Sequence, residues 1–203
     1  VVWPDGAVRW LEARGQGWVD GQGRLRGLRG SLVDVTDLKR VEEGLRRGFE
    51  EQRVIAGVAE AAAEATDEES LLARATELLR EAFFPDNCGF ILLDPDRGLL
   101  HHARSFHSRR SSDELAPIRL GTGIVGSVAA SGIARRVQDV AREPAYVALD
   151  PEMGSEICVP LFDDGGVVAV LNVESVRGNS LGERDLALIV ALGEHVSAAA
   201  AAE

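Results

Sequence analysis

The stretch from Ser155 to Ser175 constrains the fold of this chain more than any other. Two apolar runs rich in β-branched residues, at 155–161 and 167–175, flank the tetrapeptide Asp-Asp-Gly-Gly at 163–166. An Asp-Gly step between two such runs is a strong short-range signal for a β-hairpin. The sequence therefore predicts two neighbouring antiparallel strands at the centre of a sheet.

Polar side chains interrupt both of these apolar runs. Glu156 lies in the first run, and Asn172 and Glu174 lie two positions apart in the second. Because side chains alternate between the two faces of a strand, Asn172 and Glu174 project from the same face. A polar group of this kind on an apolar hairpin indicates the wall of a small cavity. We expect these side chains to be the polar contacts of a ligand.

The composition limits the functions open to the chain. The 203 residues are enough for one large domain, or for a small domain with a fragment. The net charge is −11; residues 1–47 hold nine basic and seven acidic residues, which leaves 13 basic against 26 acidic in the rest. An acidic domain repels phosphate backbones, so we expect no nucleic-acid partner. Because the chain opens at Val1 and its only methionine is Met153, we expect it to be part of a longer protein.

Cysteine usage and hydropathy predict a cytoplasmic protein. Cys88 and Cys158 are the only cysteines and lie 70 positions apart, which supports neither a disulfide framework nor a zinc site. No signal-peptide pattern opens the chain, and no apolar run approaches the roughly 20 residues of a membrane span. We expect no cofactor, no metal and no membrane contact in this part of the protein.

A glycine motif at 121–126 imitates a dinucleotide-binding loop, since it matches G-x-G-x-x-G. That function needs a buried strand before the loop and a parallel strand after the helix. Here residues 118–120 form only a short run that carries Arg119, and the following helix ends at 131–132. We therefore predict a tight loop whose glycines serve a positive φ or close packing.

The histidines and Cys158 also have plain structural explanations. His101 and His102 are adjacent in a predicted strand and point to opposite faces, so we expect packing or surface roles instead of metal binding. Cys158 alternates with apolar neighbours and is predicted to be a small buried hydrophobe. We expect no base beside it that could activate the thiol.

The N-terminal third combines turns with one long helix. Residues 1–35 predict three short strands, with turns at 4–6 and 20–23. Thr36 is expected to cap a helix over 37–65. Residues at 3/4 spacing along this helix form a heptad-like seam: Leu38, Val41, Leu45, Gly48, Gln52, Ile55, Ala59 and Ala62. We expect this helix and a C-terminal helix at 186–203 to pair with those of a second copy.

The remaining elements predict an α+β domain with an antiparallel sheet flanked by helices. Capping boxes at 66–69 and 180–183 are expected to start two helices. A hairpin joins 88–94 to 99–106, and a loop runs over 139–154 before the central hairpin. Hairpins with helices at both ends favour this class. We expect Phe106 and Tyr146 as apolar walls of the cavity and Asp139 as a further ligand contact.

Residues 52–203 resemble a GAF domain. The resemblance is carried by motifs in a fixed order: Leu-Gly-x-Gly-Ile-Val-Gly at 120–126, Ser-Gly at 131–132, Val-x-Asp-Val at 137–140, Tyr146, and the two hairpin runs at 155–161 and 170–175. Residues 1–47 resemble the last strands of a PAS domain, through Asp5-Gly6, Arg9-Trp10, the turn at 20–23 and Asp-Val-Thr at 34–36. The two resemblances imply a bacterial PAS–GAF sensor region over 1–36 and 66–203, joined by a signalling helix at 37–65. An output domain such as a kinase, cyclase or phosphatase would lie elsewhere in the protein.

Particular GAF branches match less well. In the free methionine-(R)-sulfoxide reductases, the substrate-contacting acids would fall at Glu156, Asn172 and Glu174, and the redox cysteines at Val125 and Leu149. Neither Val nor Leu can attack a sulfoxide, because a thiolate is the required nucleophile. Cyclic-nucleotide-binding members are matched only in part, at 172–173, Leu181 and Asp185, and Cys88 is poorly placed for bilin attachment. The sequence therefore favours a non-catalytic small-molecule sensor. The alternatives are a reductase-like enzyme and a dimerisation module with a filled pocket.

Overall fold

The computed structural model describes residues 1–4, 6–83, 85–110, 115–147 and 151–200. The chain divides into two compact units, Val1–Glu50 and Glu51–Glu203. The boundary falls inside the predicted linker helix, so the second half of that helix belongs to the larger unit. Within the described residues the elements are, in order, β1 Leu11–Val19, β2 Leu25–Asp34, α1 Thr36–Glu64, α2 Glu68–Phe83, β3 Asn87–Asp94, β4 Leu99–His102, β5 Ile118–Arg119, α3 Gly123–Ser131, β6 Arg135–Val137, β7 Ser155–Asp163, β8 Gly166–Ser175 and α4 Glu183–Ala200.

The smaller unit is built around one hairpin. β1 and β2 pair antiparallel from Leu11 opposite Asp34 to Val19 opposite Leu25. The Asp20 carboxylate holds the connecting turn by accepting the backbone N–H groups of Gln22 and Arg24 at 2.9 and 3.0 Å. The prediction of three strands is wrong, because the described residues of the segment 1–9 contribute a single isolated bridge between Val2 and Val8. The turn that starts at Pro4 leaves arms too short for a strand.

Helix α1 begins one residue before the predicted start, but Thr36 does not have its expected capping role. The Thr36 hydroxyl accepts the backbone N–H of Trp10 at 2.9 Å. The Asp34 carboxylate accepts the backbone N–H of Thr36 at 2.9 Å. Hydrogen bonds from the Thr36 hydroxyl and the Thr36 backbone N–H, with the nearby Arg9 guanidinium, lower the pKa of Asp34 to about 2. The cap region therefore ties the helix start to the end of β2.

The two halves of α1 present different apolar residues. In the smaller unit Leu38, Val41 and Leu45 are exposed, as expected for an unpaired seam. In the larger unit the buried positions are 54, 58 and 61, one residue before the predicted seam positions 55, 59 and 62. The register differs because this half packs against α2 and the sheet in the main core.

The larger unit contains a six-stranded antiparallel sheet in the order β5-β4-β3-β8-β7-β6. One face packs against α2, α4 and the end of α1, in a core that includes Leu79, Leu171 and Ile189. The opposite face packs against α3 and the segment after β6, in a second cluster around Ile91, Val128 and Val170. Fully burying a side chain of this size stabilises the fold by about 1.5–3 kcal/mol. No helix in the described residues is long and apolar enough to cross a membrane.

The predicted capping boxes start α2 and α4 at nearly the right place but through other atoms. At α2 the Asp67 carboxylate accepts the Ser70 N–H at 2.8 Å, so Asp67 and not Thr66 supplies the cap. At α4 the Asp185 carboxylate accepts the Gly182 N–H at 2.6 Å, while the Ser180 hydroxyl bonds to the Arg177 carbonyl. Both starts still satisfy backbone donors that a helix leaves open.

The β7–β8 hairpin forms as the sequence predicts. Its two-residue turn places Asp164 at φ 44° and Gly165 at φ 81°, the left-handed conformations that a type I′ turn requires. The turn fixes the pairing of Asp163 with Gly166, a bulge between Leu161 and Phe162 shifts the register by one residue, and the shifted register continues to Ser155 opposite Ser175. This register decides which side chains of both strands face the second cluster.

Gly165→Ala should destabilise the protein by about 1–2 kcal/mol, because a side chain in the left-handed region is strained. A Cβ at this position would meet no atom within 4 Å, so the cost comes from the backbone alone. Urea unfolding measures the change. Asp164→Gly is the matched control and should not destabilise, since it relieves the same kind of strain one residue earlier. Equal stability of Gly165→Ala and the parent protein would contradict the type I′ assignment.

Candidate functional site

The polar residues of the central hairpin lie together because cross-strand neighbours share a face of the sheet. Glu156 on β7 pairs with Glu174 on β8, and Glu174 pairs on its other side with Asn87 on β3. The next row along the same face contains Cys158 opposite Asn172. Residues of the intervening positions, such as Val173, point into the helix-side core. Strand alternation alone therefore separates a polar face from an apolar one.

A cavity of about 260 Å³ lies over this polar patch. Its floor contains Glu156, Asn172 and Glu174, whose exposed fractions are 2%, 1% and 5%. The described residues that line the rest are mostly apolar and come from β5, the glycine loop, α3 and the loop after β6: Ala116, Pro117, Ile118, Arg119, Thr122, Gly123, Ile124, Val125, Tyr146 and Val147. The arrangement is an apolar-walled cavity with a polar floor.

Two carboxyl groups face one another in the buried floor. Burial raises the pKa of Glu156 far above its ordinary value, and the nearby Glu174 carboxylate raises it further. Contact with the Cys158 thiol and the more distant Arg135 guanidinium partly oppose this rise in pKa. Arg135 is itself engaged by Glu143 at 2.8 Å. The floor therefore retains a proton at pH values at which a solvent-exposed glutamate has lost it.

The surroundings of Cys158 differ from the sequence-based expectation. Its sulfur lies 3.0 Å from Oε1 of Glu156 and 3.2 Å from Oδ1 of Asn172. Sequence reasoning did not place these two polar neighbours beside Cys158. Burial and the neighbouring Glu156 nevertheless raise the pKa of the Cys158 thiol well above its ordinary value. Cys158 thus stays a protonated, buried group that donates to the polar floor.

Asn87 is the site residue that sequence reasoning missed. Its Nδ2 donates to Oε2 of Glu174 at 2.7 Å and approaches the Met153 sulfur at 3.6 Å. Its Oδ1 accepts the backbone N–H of Arg109 at 2.9 Å. Asn87 begins β3, and only the pairing of β3 with β8 brings it to Glu174. A polar residue at the start of an apolar strand was the one local signal.

Three further candidates lie in different places. Tyr146 lines the cavity. Phe106 is not among the described lining residues and instead packs edge-on against His102, with 4.6 Å between ring centroids. Asp139 is also absent from that lining, because its carboxylate accepts the Ala141 N–H and pairs with Arg142, both at 3.2 Å. Leu149, a predicted reductase position, lies outside the described residues.

The glycine loop has the positive φ angles and the close packing that the sequence predicts. Gly121 and Gly123 have φ of 78° and 70°. A Cβ on Gly126 would lie 2.3 Å from the Arg119 carbonyl oxygen, so close packing requires glycine there. Burial lowers the pKa of His102 to about 4, so its ring packs as a neutral group. Within the described residues, no group of three or more His, Cys, Asp or Glu side chains could hold a metal ion.

The buried Glu156 predicts a stability that falls as pH rises. The stabilising contribution of its proton is fully present below the ordinary glutamate pKa of 4.5 and is lost as the pH rises through the raised folded-state pKa. The slope over that window is at most one proton, or about 1.4 kcal/mol per pH unit. Glu156→Gln should flatten this slope in urea unfolding measured from pH 5 to about pH 8. The exposed Glu60→Gln control should keep the parent slope; a parent protein without any such slope would contradict the buried-acid assignment.

Comparison with known proteins identifies the family. The GAF domain profile matches residues 65–200, and the chain belongs to the GAF domain family. The α+β fold, with its antiparallel sheet between helices and a cavity on one face, agrees with that assignment. The match covers most of the larger unit.

Individual relatives support the same family. The chain is 31% identical over 114 residues to GAF domain-containing protein A of Dictyostelium discoideum, which is 56% of this chain and 69% of that protein. It is 37% identical over 68 residues to Protein YtsP of Bacillus subtilis (strain 168), which is 34% of this chain and 42% of YtsP. The chain thus spans less than half the length of YtsP.

A solved structure with a similar fold contains a bound substrate. It is the free methionine-R-sulfoxide reductase of Neisseria meningitidis in complex with its substrate, at a TM-score of 0.69 and 29% identity. The alignment covers 74% of this chain and 87% of the reductase. The similarity supports the fold assignment, and the reductase activity is a property of the Neisseria protein.

Proposed function

We propose that the larger unit is a non-catalytic sensory domain that binds a small molecule in the cavity over β7 and β8. The observation that carries this proposal is the buried polar floor of Glu156, Asn172 and Glu174 beneath apolar walls. Ligand sites in proteins have this character: mostly apolar, with a few convergent polar groups. The volume of about 260 Å³ suits a compact ligand.

The floor favours a ligand with hydrogen-bond donors. Buried carboxyl oxygens lose their contacts with water, and this loss is costly unless other donors replace them. Asn87 supplies one donor to Glu174, and the Cys158 thiol is a weak donor beside Glu156. A ligand with N–H or O–H groups would add donors and would fit the apolar walls with its remaining atoms.

The positions of the cysteine side chains argue against catalysis in this cavity. The lining residue Val125 occupies one of the two positions where the resemblance places a reductase cysteine. The only two cysteines of the chain are Cys88 and Cys158, both buried, and neither is among the described lining residues. Burial raises the pKa of Cys88 to about 12, so a reactive thiolate is disfavoured there as well.

A methionine sulfoxide reductase activity is the second candidate, favoured by the similarity to the Neisseria enzyme. This chain shares the fold of that enzyme, and its cavity floor is acidic. It lacks a sulfur atom at Val125, so reduction would need a nucleophile from elsewhere. Amino acids and their oxidised forms are therefore useful as candidate ligands of the sensor.

The domain context that we propose is that of a cytoplasmic bacterial signalling protein. Residues 1–36 would be the C-terminal part of a PAS domain, and a covalently linked output domain would receive the signal. The Arg9–Asp34 ion pair at 2.9 Å, together with the hydrogen bonds that Asp34 accepts from the Thr36 N–H and Thr36 accepts from the Trp10 N–H, links the start of this segment to α1. A ligand would act through its difference in affinity between two helix arrangements, typically about 1–3 kcal/mol.

A thermal-shift screen with amino acids, their oxidised forms and cyclic nucleotides tests the sensor. A binding compound at about 100 times its Kd should stabilise the protein by about 2.7 kcal/mol, a shift of several degrees in Tm. Glu174→Gln should weaken binding at least about tenfold, since a charged hydrogen bond contributes about 1.5–3 kcal/mol. Glu60→Gln should bind like the parent.

The same protein should not turn over free methionine sulfoxide in a thioredoxin-coupled assay that an authentic reductase passes. Turnover would replace the sensor proposal by the enzymatic alternative. Suppose that no compound raises the Tm and that Glu156 titrates like a solvent-exposed glutamate. That result would favour a dimerisation module with a filled pocket.

We also propose a homodimer through the exposed seam of α1. Leu38, Val41 and Leu45 are 64%, 59% and 72% exposed, whereas Ile189 and Leu192 of α4 are buried within the larger unit. The proposal therefore rests on α1 more than on residues 186–203. Light scattering at micromolar concentration should give the mass of a dimer. Leu45→Glu should give a monomer with an unchanged fold, and Glu43→Gln, on the opposite side of the helix, should remain dimeric.

A further inference from the structure

The orientation of the Asn87 amide is fixed by its neighbours. The backbone N–H of Arg109 can only donate, so the Asn87 atom that it meets at 2.9 Å must be the acceptor Oδ1. The Nδ2 group is therefore the atom that lies 2.7 Å from Oε2 of Glu174. Asn87 is 3% exposed, so water does not compete strongly for this contact. A donated hydrogen bond of this kind favours the ionised form of its acceptor.

Glu156 has different partners from Glu174. It lies directly opposite Glu174 in the strand register, where Cβ atoms are about 4.5–5.5 Å apart. The charges that act on Glu156 are those of Glu174, Arg135 and Glu143, and Arg135 and Glu143 form an ion pair with each other. The thiol of Cys158 is its neighbour along β7. The described cavity lining also contributes the Tyr146 phenol and the Arg119 guanidinium.

We propose that Asn87 divides the buried carboxyl pair into two unlike groups, an ionised Glu174 that accepts and a protonated Glu156 that donates. Asn87 is thus a positioning residue for the cavity, since it acts through Glu174. This inference rests on the proposed ligand site, and it adds the kind of ligand group that the floor selects. The ligand group that complements this floor carries a hydrogen-bond donor next to an acceptor, as the edge of a carboxamide or a lactam does. A group that carries donors only would itself offer no acceptor to the Glu156 O–H.

Carbon-13 NMR of protein labelled at the glutamate carboxyl carbons tests the division without a ligand. Glu156→Gln and Glu174→Gln assign the two resonances. At pH 6.5 we expect the Glu156 carbon at the position of a protonated carboxyl and the Glu174 carbon at that of a carboxylate. Two carboxylate resonances, or the reverse assignment, would overturn the proposal.

Asn87→Leu tests the cause of the division. Loss of the Nδ2 donor should move the Glu174 resonance toward the protonated position and the Glu156 resonance toward the ionised one at the same pH. Thr76→Val is the matched control, because it removes a buried hydroxyl that bonds only within α2, to the Leu72 carbonyl. Unchanged resonances in folded Asn87→Leu would overturn the role of Asn87. If that variant does not fold, the wild-type assignment still decides the division itself.

Benzamide and benzamidine form a matched probe pair for the ligand class. They share shape and ring, but benzamide offers a donor beside an acceptor, whereas benzamidinium offers donors only. At pH 6.5 benzamide should raise the Tm of the full chain more than benzamidine does. The order should reverse above the pH at which the NMR shows Glu156 to ionise, because two carboxylates favour the cation.

The carboxyl NMR tests the division of the carboxyl pair, and the Tm shifts with the probe pair test the ligand class. Preference for benzamidine at pH 6.5 would overturn the ligand class. Failure of both probes to shift the Tm, with the divided carboxyl pair present by NMR, would support the division and count against a small-molecule site.

Discussion

The fixed register of the β7–β8 hairpin is the constraint on which the rest of the larger unit depends. Its two-residue turn sets the first pairs, and a bulge between Leu161 and Phe162 sets the pairs from Leu161 opposite Ala169 to Ser155 opposite Ser175. Leu171 and Val173 then point into the helix-side core, while Asn172 and Glu174 point to the cavity. A shift of one residue in either strand would place carboxyl groups among hydrocarbon and leucines in the cavity. Core stability and site chemistry therefore have the same origin.

The cavity floor keeps part of its charge because its carboxyl groups share protons and hydrogen bonds with each other and with their neighbours. Two glutamates on opposite strands would repel strongly if both were ionised in a buried position. The chain places an amide, a thiol and a distant ion pair around them instead of a direct cationic partner for Glu156. The floor remains polar and partly protonated, a state that an incoming ligand can alter.

Local sequence patterns predicted the elements better than they predicted contacts between them. The hairpin and the buried face of α2 follow from turn chemistry and periodicity, which act within a few residues. Asn87 was missed, and Phe106 and Asp139 were placed in the cavity lining, because these positions depend on strand pairing and loop paths over long separations. The same applies to the helix caps, where Asp67 and Asp185 compete with neighbouring hydroxyl groups for the same backbone donors. The sequence predicted that Glu156 and Glu174 are neighbours. It did not predict their protonation, because burial sets the protonation of such groups.

Arg109 has two connections, a buried one to Asn87 and an exposed one to Glu152, and they differ in their response to salt. The buried amide of Asn87 binds the Arg109 backbone, whereas the Arg109 side chain reaches Glu152 with side chains that are 40% and 66% exposed. Mobile ions weaken the attraction between such solvated charges, and the Debye length is about 8 Å at physiological ionic strength. Raising the salt concentration therefore loosens the exposed connection and leaves the buried one intact. The buried hydrogen bond between Asn87 and Glu174 in the cavity floor is likewise screened little by salt.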